Sequence, residues 1–207
     1  GAGLRNLMVV TGYRGDMIAK RGFKIVSNQQ WQDTNMVASL LCAWEYIEQT
    51  MIVSYSDIVY DSDVVDSLLQ AKGDICISYD PNWLELWRRR FECPLDDAES
   101  FLLDGNGRVI DIGRKVESVD EIAGQYMGLL KISPRGMEQI KMVLAEEADL
   151  YKRLDMTSLL NRLIAAQFPV DAVACIGGWC EVDSGSDLAV AEALYAEGRL
   201  IPPLVSN

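Results

Sequence analysis

Short β-branched runs alternate regularly with amphipathic stretches along this chain. Residues 6–11 and 51–55 are apolar runs typical of buried strands, and residues 34–47 between them place apolar side chains at helical spacing. Residues 63–71 form a second predicted helix and residues 74–79 the next strand. Crossovers of this length connect parallel strands covered on both faces, so the order predicts a doubly wound, Rossmann-like α/β fold.

An antiparallel excursion follows the predicted strand at residues 74–79. Two apolar runs, residues 101–103 and 108–112, flank the turn sequence of residues 104–107, a combination that predicts a β-hairpin. We therefore expect a mixed, mostly parallel sheet that the antiparallel strands of the hairpin enter. The other predicted elements are strands at 24–27 and 125–132, a helix from Ser133 to about Tyr151, a helix at 156–167, an extended segment at 170–176 and a helix at 187–197.

The composition excludes several classes of function. A net charge of -12 would repel a phosphate backbone, so nucleic acid is not an expected partner. No run is long enough to cross a membrane and no targeting segment is recognisable, which predicts a cytoplasmic protein without a membrane partner. The chain has no histidine, which excludes Ser-His and Cys-His hydrolase chemistry, and its five cysteines form no zinc pattern and are expected to be buried free thiols.

Two acidic segments occupy positions where an α/β sheet binds ligands, beyond the carboxyl ends of its strands. Asp57 follows a predicted strand, and a carboxylate there suits a hard metal ion, although the start of a turn explains it equally well. Glu181 and Asp183 follow two glycines and share one face of an extended segment. One of them could meet Asp57 across a metal ion, and a solvated carboxylate pair at a strand end is the alternative.

Five sequence blocks span nearly the whole chain in order. They are Val-Val-Thr-Gly-Tyr-Arg-Gly at 9–15, Thr-Asn-Met-Val-Ala-Ser-Leu at 34–40, Ser-Tyr-Ser-Asp-Ile-Val-Tyr at 54–60, Gly-Gln-Tyr-Met-Gly-Leu-Leu-Lys at 124–131 and Trp-Cys-Glu-Val-Asp at 179–183. Together they resemble the sugar-nucleotidyltransferase superfamily, most of all its phosphocholine cytidylyltransferase-like branch. That branch also includes enzymes that act on phosphonates and other small phosphorylated compounds.

The resemblance implies a metal-dependent nucleotidyltransferase. Asp57 matches the metal-binding acidic residue after the central strand, and Asp183 matches the second metal ligand. The implied cofactor is Mg²⁺, which would bridge the α-phosphate of a nucleoside triphosphate, with CTP favoured, and the phosphate of a small acceptor. The implied reaction releases pyrophosphate.

Further candidates come from the position of polar residues on these elements. Lys131 is a candidate catalytic phosphate ligand, because its strand is expected to run toward the same crevice as Asp57. Asn35 and Ser39 lie four residues apart on one helix face and could bind the base or ribose, with helix capping by Thr34 as the alternative. The remaining candidate substrate-binding residues are Tyr55, Ser56, Gln125 and Glu181.

Tryptophans and arginines are weaker candidates for the acceptor pocket. An aromatic wall would suit a quaternary ammonium group, and ordinary core packing is the alternative. Trp179, beside the proposed metal ligand, is favoured over Trp31, Trp83 and Trp87. The basic run of residues 88–90 is explained by a solvated helix face at least as well as by phosphate capture.

The resembling family also has a strand, a Gly-rich loop and a lysine that hold the triphosphate, and this sequence matches the family only after them. We expect residues 1–207 to form one nucleotidyltransferase domain without that loop and to bind nucleotide weakly, with Gly1 and Gly3 playing no part. A non-catalytic module of the same fold and a metal-dependent glycosyltransferase are the rival hypotheses. The sequence leaves homo-oligomerisation open.

Overall fold

The computed structural model describes residues 4, 6–46, 49–146 and 149–201, and none of their helices is long and apolar enough to cross a membrane. The strands are β1 (Met8–Thr11), β2 (Lys24–Ser27), β3 (Met51–Ser54), β4 (Ile58–Tyr60), β5 (Ile75–Asp80), β6 (Glu99–Leu103), β7 (Val109–Lys115), β8 (Gln125–Ile132), β9 (Asp171–Ala174) and β10 (Trp179–Glu181). The helices are α1 (Gly15–Ala19), α2 (Met36–Cys42), α3 (Ser62–Gln70), α4 (Trp83–Arg90), α5 (Pro134–Leu144), α6 (Met156–Ala165) and α7 (Gly185–Ala196).

The largest sheet has four strands in the order β3-β8-β5-β9. β5 and β9 pair in parallel, whereas β8 pairs antiparallel with both β3 and β5. Three of the four strands therefore run in one direction, which confirms the mixed, mostly parallel sheet. Nearly every residue of β5 and β8 is buried, and because successive side chains on a strand point to opposite faces, both faces of this sheet are covered.

The predicted hairpin forms beside this sheet. β6 and β7 make a two-stranded ladder, and a single bridge from Arg108 to Asp171 ties it to the start of β9. Asp104 fixes the turn, because its Oδ1 accepts hydrogen bonds from the N–H groups of Asn106 and Arg108 at 2.8 and 2.9 Å. The hairpin excursion is thus confirmed, but its strands do not enter the main sheet, whose antiparallel member is β8.

The core forms where helices pack on the main sheet. α3 contacts β3, β5 and β8, and α5 contacts β8 and α6. Their buried side chains recur at three- and four-residue spacing, as amphipathic helices require. This packing holds the strand ends in fixed positions. The most deeply buried side chains of these elements are Leu68, Ile75, Ile77, Leu129, Leu130, Ile132 and Ile140.

Two helices are shorter than their apolar patterns predict. α2 ends at Cys42 and a 3-10 turn follows at Trp44–Tyr46, while the predicted end at Ile47 lies outside the described residues. α5 begins at Pro134 behind the capping side chain of Ser133, as predicted, and ends at Leu144. Apolar spacing continues past the last hydrogen-bonded turn in both cases, so the pattern overestimates helix length.

The N-terminal region, comprising β1, α1 and β2, forms a two-stranded sheet of its own that contacts α2. β1 and β2 pair in parallel, and α1, which the sequence pattern did not indicate, buries none of its five residues. Gly1 and Gly3 lie outside the described residues. The large apolar side chains exposed in and next to this unit are Leu4, Leu7, Tyr13, Met17, Ile18, Phe23, Trp31 and Met36.

All five cysteines are free thiols, as the sequence predicts. Cys76 and Cys180 are buried, and Cys42 and Cys175 are half-buried. The expectation of burial is wrong for Cys93, which is exposed just after the end of α4.

Candidate active site

A short antiparallel ladder brings the two acidic segments together. β4 pairs with β10, with Ile58 opposite Glu181. Just beyond this pair, the N–H of Val182 donates to the backbone oxygen of Asp57 at 2.7 Å. Asp183 is the next residue, so Asp57, Glu181 and Asp183 lie at one end of the ladder, here called the carboxylate end. The structure therefore brings the two predicted metal ligands to one place.

The carboxylate of Asp57 lacks a hydrogen-bond partner on one side. Its Oδ1 is buried and has no partner within the part of the chain that the structure describes. A carboxylate oxygen in this position is costly, because it has lost its hydration and gained nothing in exchange. A bound cation or a donor group of a ligand would supply the missing contact.

One arginine holds the other carboxylates of this end. The side chain of Arg90, the last residue of α4, has no solvent exposure. It donates to Glu181 at 2.8 Å, to Asp183 at 2.9 Å and to Asp187 at 3.0 Å. These bonds tie the segment from the end of β10 to the first turn of α7 around a single guanidinium group.

The sequence pattern did not indicate this role of Arg90, because residues 88–90 resemble one solvated basic run. In the structure Arg88 and Arg89 are exposed, whereas Arg90 is buried. The spacing of Arg90 from two tryptophans could have indicated its burial. Arg90 follows Trp87 by three residues and Trp83 by seven, which puts it on the same helix face as these two buried side chains. A charged residue on such a face needs buried partners.

The pKa values of two carboxyl groups at this end shift in opposite directions. Burial raises the pKa of Glu181, and neighbouring carboxylates add to this while the bonds from Arg90 oppose it. Burial acts in the same direction on Asp187, but hydrogen bonds from Ser184 and Arg90 together outweigh it and lower the pKa of Asp187. Carboxylates outnumber the guanidinium group, so the carboxylate end favours additional positive charge.

The donor set fits a magnesium ion. Among the described residues there is no group of three or more His, Cys, Asp or Glu side chains that could hold a metal. Magnesium, however, commonly binds through one or two carboxylates and keeps its other positions for water and phosphate. Asp57, with its unpartnered oxygen, and Asp183 fit the ion as such a pair.

Tyr55 lies next to the carboxylate end and packs against β8. Its N–H donates to the carbonyl oxygen of Gly128 at 2.9 Å, and a β-carbon at Gly128 would approach the tyrosine ring within 2.7 Å. Gly128 also has a φ of +75°, so glycine is required there for two reasons. The ring meets Tyr126 edge to face, and burial raises the pKa of Tyr55 far above its usual value. Ser56 is exposed.

Gln125 begins β8 opposite Asp80, at the carboxyl end of β5. It is buried, and its Nε2 donates to the carbonyl oxygen of Glu99 at 2.7 Å. The amide of Gln125 therefore links β8 to the start of β6.

Lys131 lies at the opposite end of the main sheet from Asp57. β8 runs antiparallel to β3 and places Lys131 beside Ile52, at the start of the strand that leads to Asp57. Its buried ammonium group donates to the carbonyl oxygen of Ala71, just after α3. The expectation that its strand leads to the crevice of Asp57 is wrong, and the cation stabilises the carboxyl end of a helix instead.

The tryptophans do not line one common pocket within the described part of the chain. Trp179 is 3% exposed, its Nε1 donates to Asp80 at 2.9 Å, and its ring centroid is 6.0 Å from that of Trp87. Trp83 is buried beside Trp87. Trp31 lies apart, next to the ring of Tyr13. Core packing accounts for Trp83 and Trp87, whereas Trp179, although buried, also lines a surface cleft, and its role against an acceptor stays a prediction.

Asn35 and Ser39 both make local hydrogen bonds at the start of α2. Asn35 is the N-cap, and its side chain accepts from the N–H of Met36 at 2.7 Å. Ser39 accepts from the side chain of the buried Asn28 at 3.1 Å. The capping alternative is therefore realised by Asn35 rather than by Thr34. A role in binding the base or ribose stays a prediction.

Two surface clefts lie at the other end of the ladder, here called the Trp179 end. Their volumes are about 280 and 320 Å³, and both are lined by the loop at residues 176–178 and by Arg199. The N–H of Asp61 donates to Gly178 there at 2.8 Å. Asp61 is four residues from Asp57, a span of about 13 Å at strand spacing, so the clefts open at the opposite end of the ladder from the carboxylates. They do not contain the predicted metal ligands.

The chain matches no protein-family model. It is, however, 35% identical over 208 residues to the CTP:phosphoglutamine cytidylyltransferase of Campylobacter jejuni. This alignment covers 91% of the chain and 81% of that enzyme.

A solved structure shows the same fold. The inositol-1-phosphate CTP transferase from T. maritima superposes with a TM-score of 0.63 over 87% of this chain and 70% of that one, at 17% sequence identity. This structural similarity shows the nucleotidyltransferase-type α/β fold. The family is shown by the sequence identity to the Campylobacter enzyme. The chain therefore belongs to the nucleotidyltransferase family that includes the Campylobacter enzyme.

Proposed function

We propose that the protein transfers a cytidylyl group from CTP to a small phosphorylated acceptor and releases pyrophosphate. The observation that carries this proposal is the 35% identity to CTP:phosphoglutamine cytidylyltransferase along most of both chains. The meeting of Asp57 and Asp183 at the carboxylate end supports it, because joining two anions requires positive charge between them.

The proposed reaction is a displacement at phosphorus. An oxygen of the acceptor phosphate forms a bond to the α-phosphorus of CTP, and the bond from that phosphorus to the departing pyrophosphate breaks. The attacking oxygen is already ionised at neutral pH, so the step requires no general base, in keeping with a chain that has no histidine. Positioning and electrostatic stabilisation then carry the catalysis.

A magnesium ion held by Asp57 and Asp183 is part of the proposal. When bound, it would reduce the repulsion between the two phosphate groups. The chain itself supplies the placement of the carboxylates: the ladder bond from Val182 holds the backbone of Asp57, and Arg90 holds the side chain of Asp183.

We propose a phosphorylated amino-acid derivative of the phosphoglutamine kind as the acceptor. The support for this choice is the activity named for the Campylobacter relative. A phosphocholine-like compound is the second candidate, on the sequence resemblance alone. The structure lends it less support, because Trp179 is buried against Trp87 and donates to Asp80.

The test is to incubate the full-length protein and magnesium with each nucleoside triphosphate and each of phosphoglutamine, phosphocholine and a phosphonate, while following pyrophosphate. We expect release to be at least about tenfold faster with CTP and phosphoglutamine than with any other pair. CTP binding without turnover on any acceptor would favour a non-catalytic module. Consumption of a sugar nucleotide without pyrophosphate release would favour a glycosyltransferase.

A further inference from the structure

Arg90 occupies a closed position between three elements. Its guanidinium lies over the rings of Trp87 and Phe91, with its central carbon 5.1 and 4.9 Å from their centroids. Its nitrogens reach carboxylates from three places, the end of β10, the following loop and the first turn of α7. The guanidinium makes these bonds from three separate nitrogens in one plane, whereas an ammonium group would have to make all of them from a single atom.

The contact with Asp183 differs from the other two. Asp187 also accepts from Ser184, within the capping box of α7, and only 6% of its side chain is exposed. The side chain of Asp183 is 52% exposed, and it lies in the exposed run of residues 183–186. Without the bond from Arg90, a half-exposed aspartate in such a loop would sample several rotamers.

We propose that Arg90 is a positioning residue, which fixes Asp183 relative to Asp57 so that both carboxylates face one divalent cation. The inference rests on the proposed function, in which these two residues hold magnesium. Arg90 bonds to Asp183 through Oδ2 and reaches it from the protein interior. It therefore orients the ligand without contacting the ion or the substrate.

Simple charge repulsion makes the opposite prediction, which gives the inference a clear test. A guanidinium group close to a cation repels it, so neutralising Arg90 should tighten metal binding if charge were its main effect. A positioning residue should weaken metal binding when it is lost, whatever its charge. Arg90→Lys keeps the charge and loses the fork, whereas Arg90→Gln loses both.

The experiment measures Mn²⁺ binding to the full-length protein without nucleotide, because CTP itself binds the ion, and follows the electron paramagnetic resonance signal of free Mn²⁺. We expect Arg90→Lys and Arg90→Gln each to raise the Kd for Mn²⁺ by about 10- to 100-fold. In an Asp183→Asn background, Arg90→Lys should add less than about a twofold change, because its effect passes through Asp183. Arg89→Lys, one residue away on the exposed face of α4, is the matched control and should leave the Kd unchanged.

Circular dichroism will show which variants are folded. If Arg90→Gln alone is not, the double variant with Asp187→Asn removes the buried charge pair together and carries the same expectation. An unchanged Kd in folded Arg90→Lys, a tighter Kd in Arg90→Gln, or a full additional loss in the Asp183→Asn background would overturn the inference. Failure of the proposed metal site itself would look different: the unmodified protein would not bind Mn²⁺, or Asp57→Asn would bind it equally well.

Discussion

The two ends of the β4–β10 ladder each hold an aspartate withdrawn from solvent, yet the two are treated differently. At the Trp179 end, Asp80 accepts from the N–H of Asn82 at 2.7 Å and from the indole of Trp179 at 2.9 Å, so both of its oxygens have donors. At the carboxylate end, Oδ1 of Asp57 is buried without a partner among the described residues. The protein itself supplies the hydrogen-bond donors for Asp80, whereas Oδ1 of Asp57 would need a bound cation or ligand as its partner.

The surface clefts and the unpaired carboxylate oxygen lie at different ends of the ladder. The clefts lie at the Trp179 end, where the buried polar groups are paired. The carboxylate end has excess negative charge and an unpaired oxygen. A bound cation or ligand can offset the cost of a buried unpaired oxygen, so the position of this oxygen between acidic segments favours the carboxylate end for the chemistry.

The largest expected effect is at Asp57. Asp57→Asn should lower turnover of the full-length protein by about 100- to 1,000-fold, because a transition-state charge loses its stabilisation. The free energy of unfolding should stay the same or rise, since Oδ1 is buried without a partner and an amide costs less to bury than a carboxylate. Pyrophosphate release and urea denaturation measure the two quantities.

The control for this variant is Asp61→Asn, at the Trp179 end of the same strand segment. Asp61 accepts from the N–H of Ile201 at 2.6 Å, and replacing its carboxylate by the weaker amide acceptor should lower stability slightly and leave turnover unchanged. Equal loss of turnover in both variants would contradict the contrast between the two ends.

A smaller effect, on stability alone, is expected at the Trp179 end. Trp179→Phe keeps most of the buried ring but removes the donor to Asp80, which should lower the free energy of unfolding by about 1–3 kcal/mol. KM for CTP and for the acceptor should change by less than about twofold. A large rise in the acceptor KM with unchanged stability would instead place Trp179 against the acceptor.

Lys131 is a buried cation remote from both ends of the ladder. Lys131→Met keeps the apolar stem packed and leaves the carbonyl of Ala71 without its donor, so it should cost about 1–2 kcal/mol of stability. Turnover should not change, because Lys131 lies at the opposite end of the main sheet from Asp57. A selective loss of kcat would restore Lys131 as a phosphate ligand.

The smallest expected effect is a pH dependence of the Trp179→Phe cost. Burial raises the pKa of Asp80, and the hydrogen bond from Trp179 opposes that rise. Loss of the donor should raise the pKa further, so the cost is fully present at neutral pH and shrinks as pH falls through the pKa of Asp80. Urea denaturation of both proteins at pH 7 and pH 4 should show a difference of about 1 kcal/mol or less; a cost that grows on acidification would contradict the assignment.

Strands were predictable from sequence, but their directions were not. The bounds of β8 agree with the predicted 125–132 because an apolar run defines a strand whichever way it runs. Its antiparallel direction depends on β3 and β5, its distant partners. The placement of Lys131 failed for this reason.

In the candidate site, too, local sequence motifs were predictable and contacts between distant residues were not. Asp57 and Asp183 could be proposed because each stands in a short motif at a strand end. Arg90 could not be connected with them, because its carboxylate partners lie 91, 93 and 97 residues away in the chain. Contacts at such separations follow from the fold and leave no local pattern beyond the helix face on which Arg90 stands.

The exposed apolar side chains of the N-terminal region have a consequence for how the protein behaves in solution. At neutral pH a net charge of -12 keeps molecules apart by mutual repulsion. Near the isoelectric point of about 4.4 this repulsion vanishes. The exposed apolar side chains around β1, α1 and β2 can then bring molecules together through hydrophobic contacts. Light scattering should then rise while the far-ultraviolet circular dichroism stays constant, and concentrated salt at neutral pH should promote the same association by screening the charge.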